Sequence, residues 1–303
     1  MKIITTQKSS STRKFFVDQA AMLIPVISYA VPALSTYKLM TSPVAAIAYP
    51  SILLSPVIFS IIFVLVAGLM SIPSQSGIVA GKFKRDTGTQ IYGKRRIYGA
   101  CWTTVFYCKP VFFILLSNKH FKKMMFRLFG YKGSMDFTTY PDCWMRDLPL
   151  LDIRKGAYLS NRCTMGTNIC HKEGMISVGK ITVGENSIVG HLAMIAHGVI
   201  IGNDSEVGVG ACLGLNVKLG NNVLIGPTSG INHYSVIGDN VSIGAKSIIG
   251  CAVVIAANIK VPAGALIPDK AKILTQNDVN KYISSTYVFN AASLEDMEIA
   301  KIA

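Results

Sequence analysis

Five histidines, at positions 120, 171, 191, 197 and 233, are the side chains of this 303-residue chain whose ordinary proton affinity lies near neutral pH. An imidazole of that kind suits a general base, which takes the proton from an attacking hydroxyl or amine. His120 stands among Lys119, Lys122 and Lys123 and reads as a residue of a polar boundary. Seven cysteines, at 101, 108, 143, 163, 170, 212 and 251, form no C-x-x-C pair and no zinc-type spacing, and their odd number fits a reduced, cytoplasmic setting. Whether the imidazoles do chemistry or merely decorate exposed corners depends on the elements that carry them.

Four of the five fall in or beside a repeat. From Val183 every sixth residue is aliphatic, through Val189, Ile195, Ile201, Val207 and onward to Ile267 without a failure. A glycine follows at 184, 190, 202, 208, 214, 220, 226, 238, 244 and 250, and a small or β-branched residue stands four places after each aliphatic, as in Ser187, Ala193, Val199 and Ser205. An amphipathic helix repeats near 3.6 residues and a half-exposed strand at 2, so neither explains a period of six. A three-sided solenoid does: the aliphatic and the small residue point inward and stack on their equivalents in the next coil, with glycine easing the corner. Three units make a coil of 18 residues.

The same phase extends back through Ile153, Leu159 and Met165, with Ala157, Cys163 and Ile169 as inward partners. Between 171 and 182 the pattern is distorted, yet those twelve residues equal two hexads. The register is therefore expected to continue past a small excursion, His171 to Ser177, of the kind that carries function. Starts from 153 to 261 count 19 hexads, or about six coils.

This frame sorts the histidines. His191, His197 and His233 hold the third place of their hexads and face away from the coil interior. His191 and His197 fall on successive sides, while His233 shares the side of His197 two coils on, at roughly 9 to 10 Å for normal strand spacing. His171 is expected on the side of His191, one coil below, which makes those two the plausible neighbours.

The N-terminal half has another character. The chain is 50% apolar with a net charge of +14, and residues 1–150 hold 18 basic and 5 acidic side chains against 12 and 11 in the rest. Leu39 to Gly81 contains no charged residue and Gln19 to Tyr37 none either; one helical crossing needs only about 20 apolar residues. Lys2, Lys8, Arg13 and Lys14 precede these spans and Lys82, Lys84, Arg85, Lys94, Arg95 and Arg96 follow them. The positive-inside bias then predicts a helical hairpin with both ends in the cytoplasm, as in a bacterial-type inner membrane. A cleaved signal ending near Ser28-Tyr29-Ala30 is the alternative for the first span. Residues 97–132 interleave Trp102, Phe106, Phe112 and Phe113 with lysines, which suits an amphipathic interfacial segment or a helix packed under the first coil. A third crossing is disfavoured by Lys109-Pro110. No basic stripe marks the soluble half, so nucleic acid is not expected as a partner. The predicted organisation is a membrane hairpin over 1–96, a membrane-proximal segment over 97–150, a repeat domain over 151–274 and a C-terminal capping helix over 275–303, begun by Asn277-Asp278.

The aliphatic-Gly-x-x-small-x array over about residues 151–274 resembles the hexapeptide-repeat acyltransferase superfamily. The resemblance implies an all-β left-handed parallel β-helix, assembly as a homotrimer, and acetyl-CoA or another acyl-CoA as co-substrate with no metal. A closer likeness is to the repeat domain of membrane-bound peptide synthetases of the polylysine-synthetase type. Tyr98-Gly99, Phe126-Arg127-Leu128-Phe129-Gly130, the Cys170-His171 step and Val189-Gly190-His191 carry it, although several relatives place the last histidine one residue later. In such a frame His191 is the expected base, with His171 as partner or as the base itself, Glu173 or Glu185 as orienting carboxylate, and His197 as a further candidate. The stretch Ile267-Pro268-Asp269-Lys270-Ala271-Lys272-Ile273 resembles the family's terminal element, which makes Lys270 and Lys272 the expected contacts to CoA phosphates.

The reading is a membrane-anchored acyltransferase that moves a short acyl group from CoA to a hydroxyl or amine of a membrane-associated acceptor such as a lipid-linked sugar. Two alternatives are a non-catalytic trimeric scaffold in a membrane complex and transfer to an amino or peptide substrate. The γ-class carbonic anhydrase also binds a metal through histidines of a hexapeptide helix, but the spacing 171, 191, 197 does not resemble its widely separated ligand and close pair.

Overall fold

The structure is a computed structural model and describes residues 9–282. Two long helices come first, α1 (Ser11–Met40) and α2 (Ala45–Gln75). Ser10 caps α1, its hydroxyl accepting from Arg13 N at 3.3 Å. Both helices are long and apolar enough to cross a membrane, with Pro25 and Pro32 inside the first and Pro50, Pro56 and Pro73 inside the second. Ser60 and Ser71 return their hydroxyls to the carbonyls of Pro56 and Gly68 at 2.6 and 2.7 Å, which spares an apolar surrounding an unpaired donor. Tyr29 of α1 meets Phe63 of α2 edge-on at 4.8 Å.

A strand, Gly81–Lys84, leaves α2 and is called the exit strand below. Helices α3 (Gln90–Tyr107) and α4 (Lys109–Ser117) follow, bent by 80° at Cys108 just before Lys109-Pro110, and are long and apolar enough to cross a membrane only if taken as one span. The Asn118 side chain then caps α5 (Lys119–Leu128) by accepting from His120 N at 2.9 Å. The mixed aromatic and basic character of this region separates by side. Trp102, Phe112 and Leu115 are buried while Tyr107 and Phe113 are exposed. Trp102 meets Phe112, Phe126 and Phe129 edge-on, and its indole N–H donates to the carbonyl of Met145 in the first coil. Tyr131 likewise donates to Ile153 O at 2.9 Å. The helices therefore close the open bottom of the solenoid, where unpaired strand edges would otherwise face water.

Three seven-stranded parallel sheets form the three faces of a β-solenoid, which makes seven coils rather than about six. The extra coil starts at Thr138–Thr139 and Trp144–Met145, before the predicted boundary at 151. Its partners show why the period missed it: Thr139 pairs with Leu159 and Met145 with Met165, twenty residues on instead of eighteen. From Val183 onward the 18-residue spacing is regular, as in Val189 with Val207 and Leu213 with Ile231. Val183, Val189, Ile225, Ile243 and Ile249 lie fully inside.

The corners are made differently from the expectation. Left-handed backbone falls three places after the aliphatic, on Asn186, Asp204, Asn222, Asn240 and Asn258, which tolerate it, but also on Leu192, Thr228, Tyr234 and Ala252, and not on the glycine that follows each aliphatic. That glycine is required for close stacking: a Cβ on Gly202 would lie 2.1 Å from Gly220 O in the coil above.

The largest departure is the treatment of residues 166–180. Ile153 pairs with Val183, Leu159 with Val189 and Met165 with Ile195, each thirty residues apart. Twelve residues have thus been pushed out of one coil between its second and third sides instead of continuing around it. They form a side hairpin of Asn168–Cys170 and Met175–Val178, turned by Glu173 and Gly174 at positive φ, and the exit strand adds to it as a third, antiparallel strand.

At the other end, the N-cap of α6 (Gln276–Val279) is Thr275, with Asp278 reaching back to it, rather than Asn277-Asp278. The Gln276 side chain accepts from Lys260 N and donates to Lys260 O at 2.9 and 2.7 Å, which pairs the open edge of the last strand on one of the three faces. The continuation of the capping helix toward Ile299 lies outside the described residues.

Candidate active site

The side hairpin brings two of the five imidazoles together. His171 Nε2 lies 2.7 Å from Ser177 Oγ, and Ser177 Oγ lies 2.8 Å from His197 Nε2. His171 begins the hairpin turn, Ser177 sits in its second strand, and His197 stands at a corner of the next coil. His197 does face away from the coil interior, as its hexad position requires, but the hairpin covers it and leaves it 2% exposed, with Ser177 at 3%. The ring packs against Gly179, where a Cβ would come within 2.8 Å of His197 Nδ1. Burial, followed by the charge of nearby His171, lowers the pKa of His197 to about 4. The imidazole is therefore neutral at physiological pH and holds a lone pair.

One hydroxyl has one proton, so the two contacts impose an order. When Ser177 donates to His171, it accepts from His197 Nε2–H, and the lone pair of His197 is then on Nδ1. His197 is itself among the residues lining an open groove of about 410 Å³, together with Ala80, Gly179, Thr182, Gly198, Asn216 and Tyr234. A second groove of about 290 Å³ runs along the preceding face between Thr164, Ile169, Met194 and His233. The corner that carries His197 separates the face behind each groove.

The other candidates stand apart. Beneath His191 lies the turn at Asn161, whose carbonyl accepts from Leu192 N, so the expected pairing of His191 with His171 does not occur. The cause is the extrusion of residues 166–180, which takes His171 off the side it would have shared. His191 is half-buried and its ring has no hydrogen bond among the described residues. His233 Nδ1 accepts from Leu215 N at 2.9 Å, a corner role, and His120 is exposed on α5. Glu173 and Glu185 are exposed, and neither carboxylate reaches an imidazole among the described residues. Lys270 occupies an exposed left-handed turn and Lys272 projects from the last coil. Ser177 was legible only as the end of the excursion; the signal for it is a lone hydroxyl within Met175-Ile176-Ser177-Val178.

Residues 216–251 match the family described as bacterial transferase hexapeptide (six repeats). No curated protein sequence matches. Similar solved structures include a hexapeptide transferase family protein from Anaplasma phagocytophilum, at 13% identity and TM-score 0.34 over 43% of this chain and 83% of that one. Another is the acetyltransferase domain of PglB from Neisseria gonorrhoeae, at 18% identity and TM-score 0.29 over 42% of this chain and 52% of that one, so the chain spans about half of its length. A third is a GDP-perosamine N-acetyl transferase from Caulobacter crescentus bound to CoA and GDP-perosamine, at 18% identity and TM-score 0.22 over 52% of this chain and 62% of that one.

Proposed function

We propose that the chain is a membrane-anchored acyltransferase that moves an acetyl or other short acyl group from acyl-CoA to a hydroxyl or amine of a membrane-associated acceptor such as a lipid-linked sugar. The contact of His171, Ser177 and His197 beside a groove that opens next to the exit of α2 carries this reading. In it, α1 and α2 cross the bilayer, the solenoid winds left-handed on the cytoplasmic side, and three copies assemble as the resemblance implies.

The chemistry needs only one base. The acceptor O–H or N–H attacks the thioester carbonyl and passes its proton to His197 Nδ1. The tetrahedral intermediate collapses with cleavage of the C–S bond, and the imidazolium returns the proton to the leaving thiolate, releasing CoA–SH. Ser177 and His171 hold the ring in the tautomer that leaves Nδ1 open. Lys270 and Lys272 are the proposed contacts to CoA phosphates; Lys272 stands on the same face as Ile200, four coils on, about 19 Å away at normal strand spacing.

Detergent-purified protein given radiolabelled acetyl-CoA tests this directly. It should release CoA slowly alone and faster with an acceptor, and His197→Asn should lower turnover by about 10²- to 10⁴-fold with the fold retained. Turnover lost only in His191→Ala would move the base to that residue, keeping the reaction. Neither hydrolysis nor tight binding of CoA would leave the scaffold reading. An amine acceptor, which the likeness to peptide synthetases implies, is separated from a hydroxyl by whether hydroxylamine cleaves the acylated product.

A further inference from the structure

Lys82 lies in the exit strand directly opposite Ser177 of the side hairpin. Directly opposed residues of an antiparallel pair point to the same face, with Cβ atoms about 4.5–5.5 Å apart. The opposite face is taken by Phe83, Ile176 and Val178, which are buried together in a small apolar cluster. Lys82 therefore shares its face with the hydroxyl that joins the two imidazoles, and the site lies within the length of the lysine side chain.

The charge there has no carboxylate answering it among the described residues. Lys180, close by in the fold, is held by Asp152 at 2.9 Å, and Arg95 is buried against Asp147. Lys82 is half-buried and has no carboxylate partner among the described residues. Lys84 follows at the next position on the same face, while Asp86 is engaged by Gly88 N at 2.9 Å and by Ser9. An ammonium with no carboxylate of its own is free to donate charged hydrogen bonds to an anionic ligand.

Its location says where the anion comes from. Lys82 is seven residues past Gln75, the end of α2, and in the proposed crossing this sets it near the polar boundary of the bilayer, where the lipid phosphates lie. Ala80, between the two, lines the groove beside His197. We propose that Lys82 binds the phosphate of an acceptor sugar linked through that phosphate to a membrane-embedded hydrocarbon chain, and so sets acceptor specificity. This rests on the acyltransferase reading and narrows its acceptor class.

The test compares two acceptors that differ only at the linker, a hexose on an isoprenoid diphosphate and the same hexose as an alkyl glycoside, using the full chain in phosphatidylcholine nanodiscs. The wild type should prefer the diphosphate in kcat/KM. Lys82→Met should cut that preference about tenfold, the size of one charged hydrogen bond, through KM, and Lys82→Arg should keep it. A preference unchanged in Lys82→Met, with transfer intact, overturns the phosphate site while the reaction stands. A preference seen only when phosphatidylglycerol is added assigns the lysine to bulk lipid, and a matching rise in KM for acetyl-CoA assigns it to CoA; either overturns the inference. A wild type that acylates neither acceptor overturns the inference and the acyltransferase reading together.

Discussion

In the proposed reaction the chemistry turns on a single imidazole whose environment favours its neutral form. His197 begins near 6.5 in an unfolded chain and stands at about 4 in the fold, first because it is buried and second because His171 is near. Between those values the unfolded chain binds more protons, so stability is complete above about pH 6.5 and declines as the pH falls toward 4, by roughly 3 kcal/mol in all. Activity should follow the folded value instead: the acid limb of kcat/KM is expected near pH 4, well below that of an exposed imidazole. Replacing His171 with Gln removes the repelling charge and should move that limb upward. An NMR titration of the His197 ring in both proteins measures the shift, and an unmoved limb in His171→Gln would separate the two imidazoles. Ser177→Ala should leave His197 in place but free its tautomer, lowering kcat more than it changes KM.

Elements rather than single residues make this pairing. The coil strands are only two or three residues long, and their stability comes from stacking like on like in successive coils. Glycine at the repeat's second place permits that stacking, since a methyl group on Gly202 would meet the backbone of Gly220. Gly202→Ala should therefore cost about 1–3 kcal/mol by overpacking, seen as a lower thermal midpoint, with the loss of hydrogen-exchange protection strongest in the adjoining coils. The side hairpin is held by other means. Its second strand pairs with residues 81–84, and Phe83 fills the space against Ile176 and Val178. That strand joins a segment near residue 82 to one near 177, so the imidazole partner of His197 is positioned in part by the chain leaving α2.

At the scale of the whole molecule, one buried carboxylate joins three parts. Asp147, just before the first strand of the third face, accepts from Arg95 of α3 and from Thr167 at the base of the side hairpin, and all three side chains are buried. Removing one partner of a buried ion pair strands the other charge, so Arg95→Met should destabilise the protein by about 3–5 kcal/mol. The double change Arg95→Met with Asp147→Leu should recover most of that loss, because apolar replacement of both partners is often neutral. Thermal melts of the single and double variants decide it. A loss still not recovered when Thr167→Val is added, which removes the hydroxyl that Asp147→Leu strands, would mean that Arg95 acts by packing alone.

The solenoid was legible along the chain because each inward position repeats every six residues, and stacking enforces that spacing with no knowledge of anything distant. The apolar spans were legible for an equally local reason, a lack of charge over Leu39 to Gly81. The first coil was hidden by its spacing of twenty, and the side hairpin by its length: twelve residues equal two hexads, so extrusion leaves the count of later positions unchanged. His171 was accordingly expected beside His191. Only tertiary structure decided that it meets His197, because the choice depends on whether those twelve residues wrap the coil or leave it, and leaving is stabilised by strand pairing with a segment about ninety positions earlier. Periodicity is a property of neighbours in sequence; the meeting of two imidazoles across one hydroxyl is a property of elements that find each other in space.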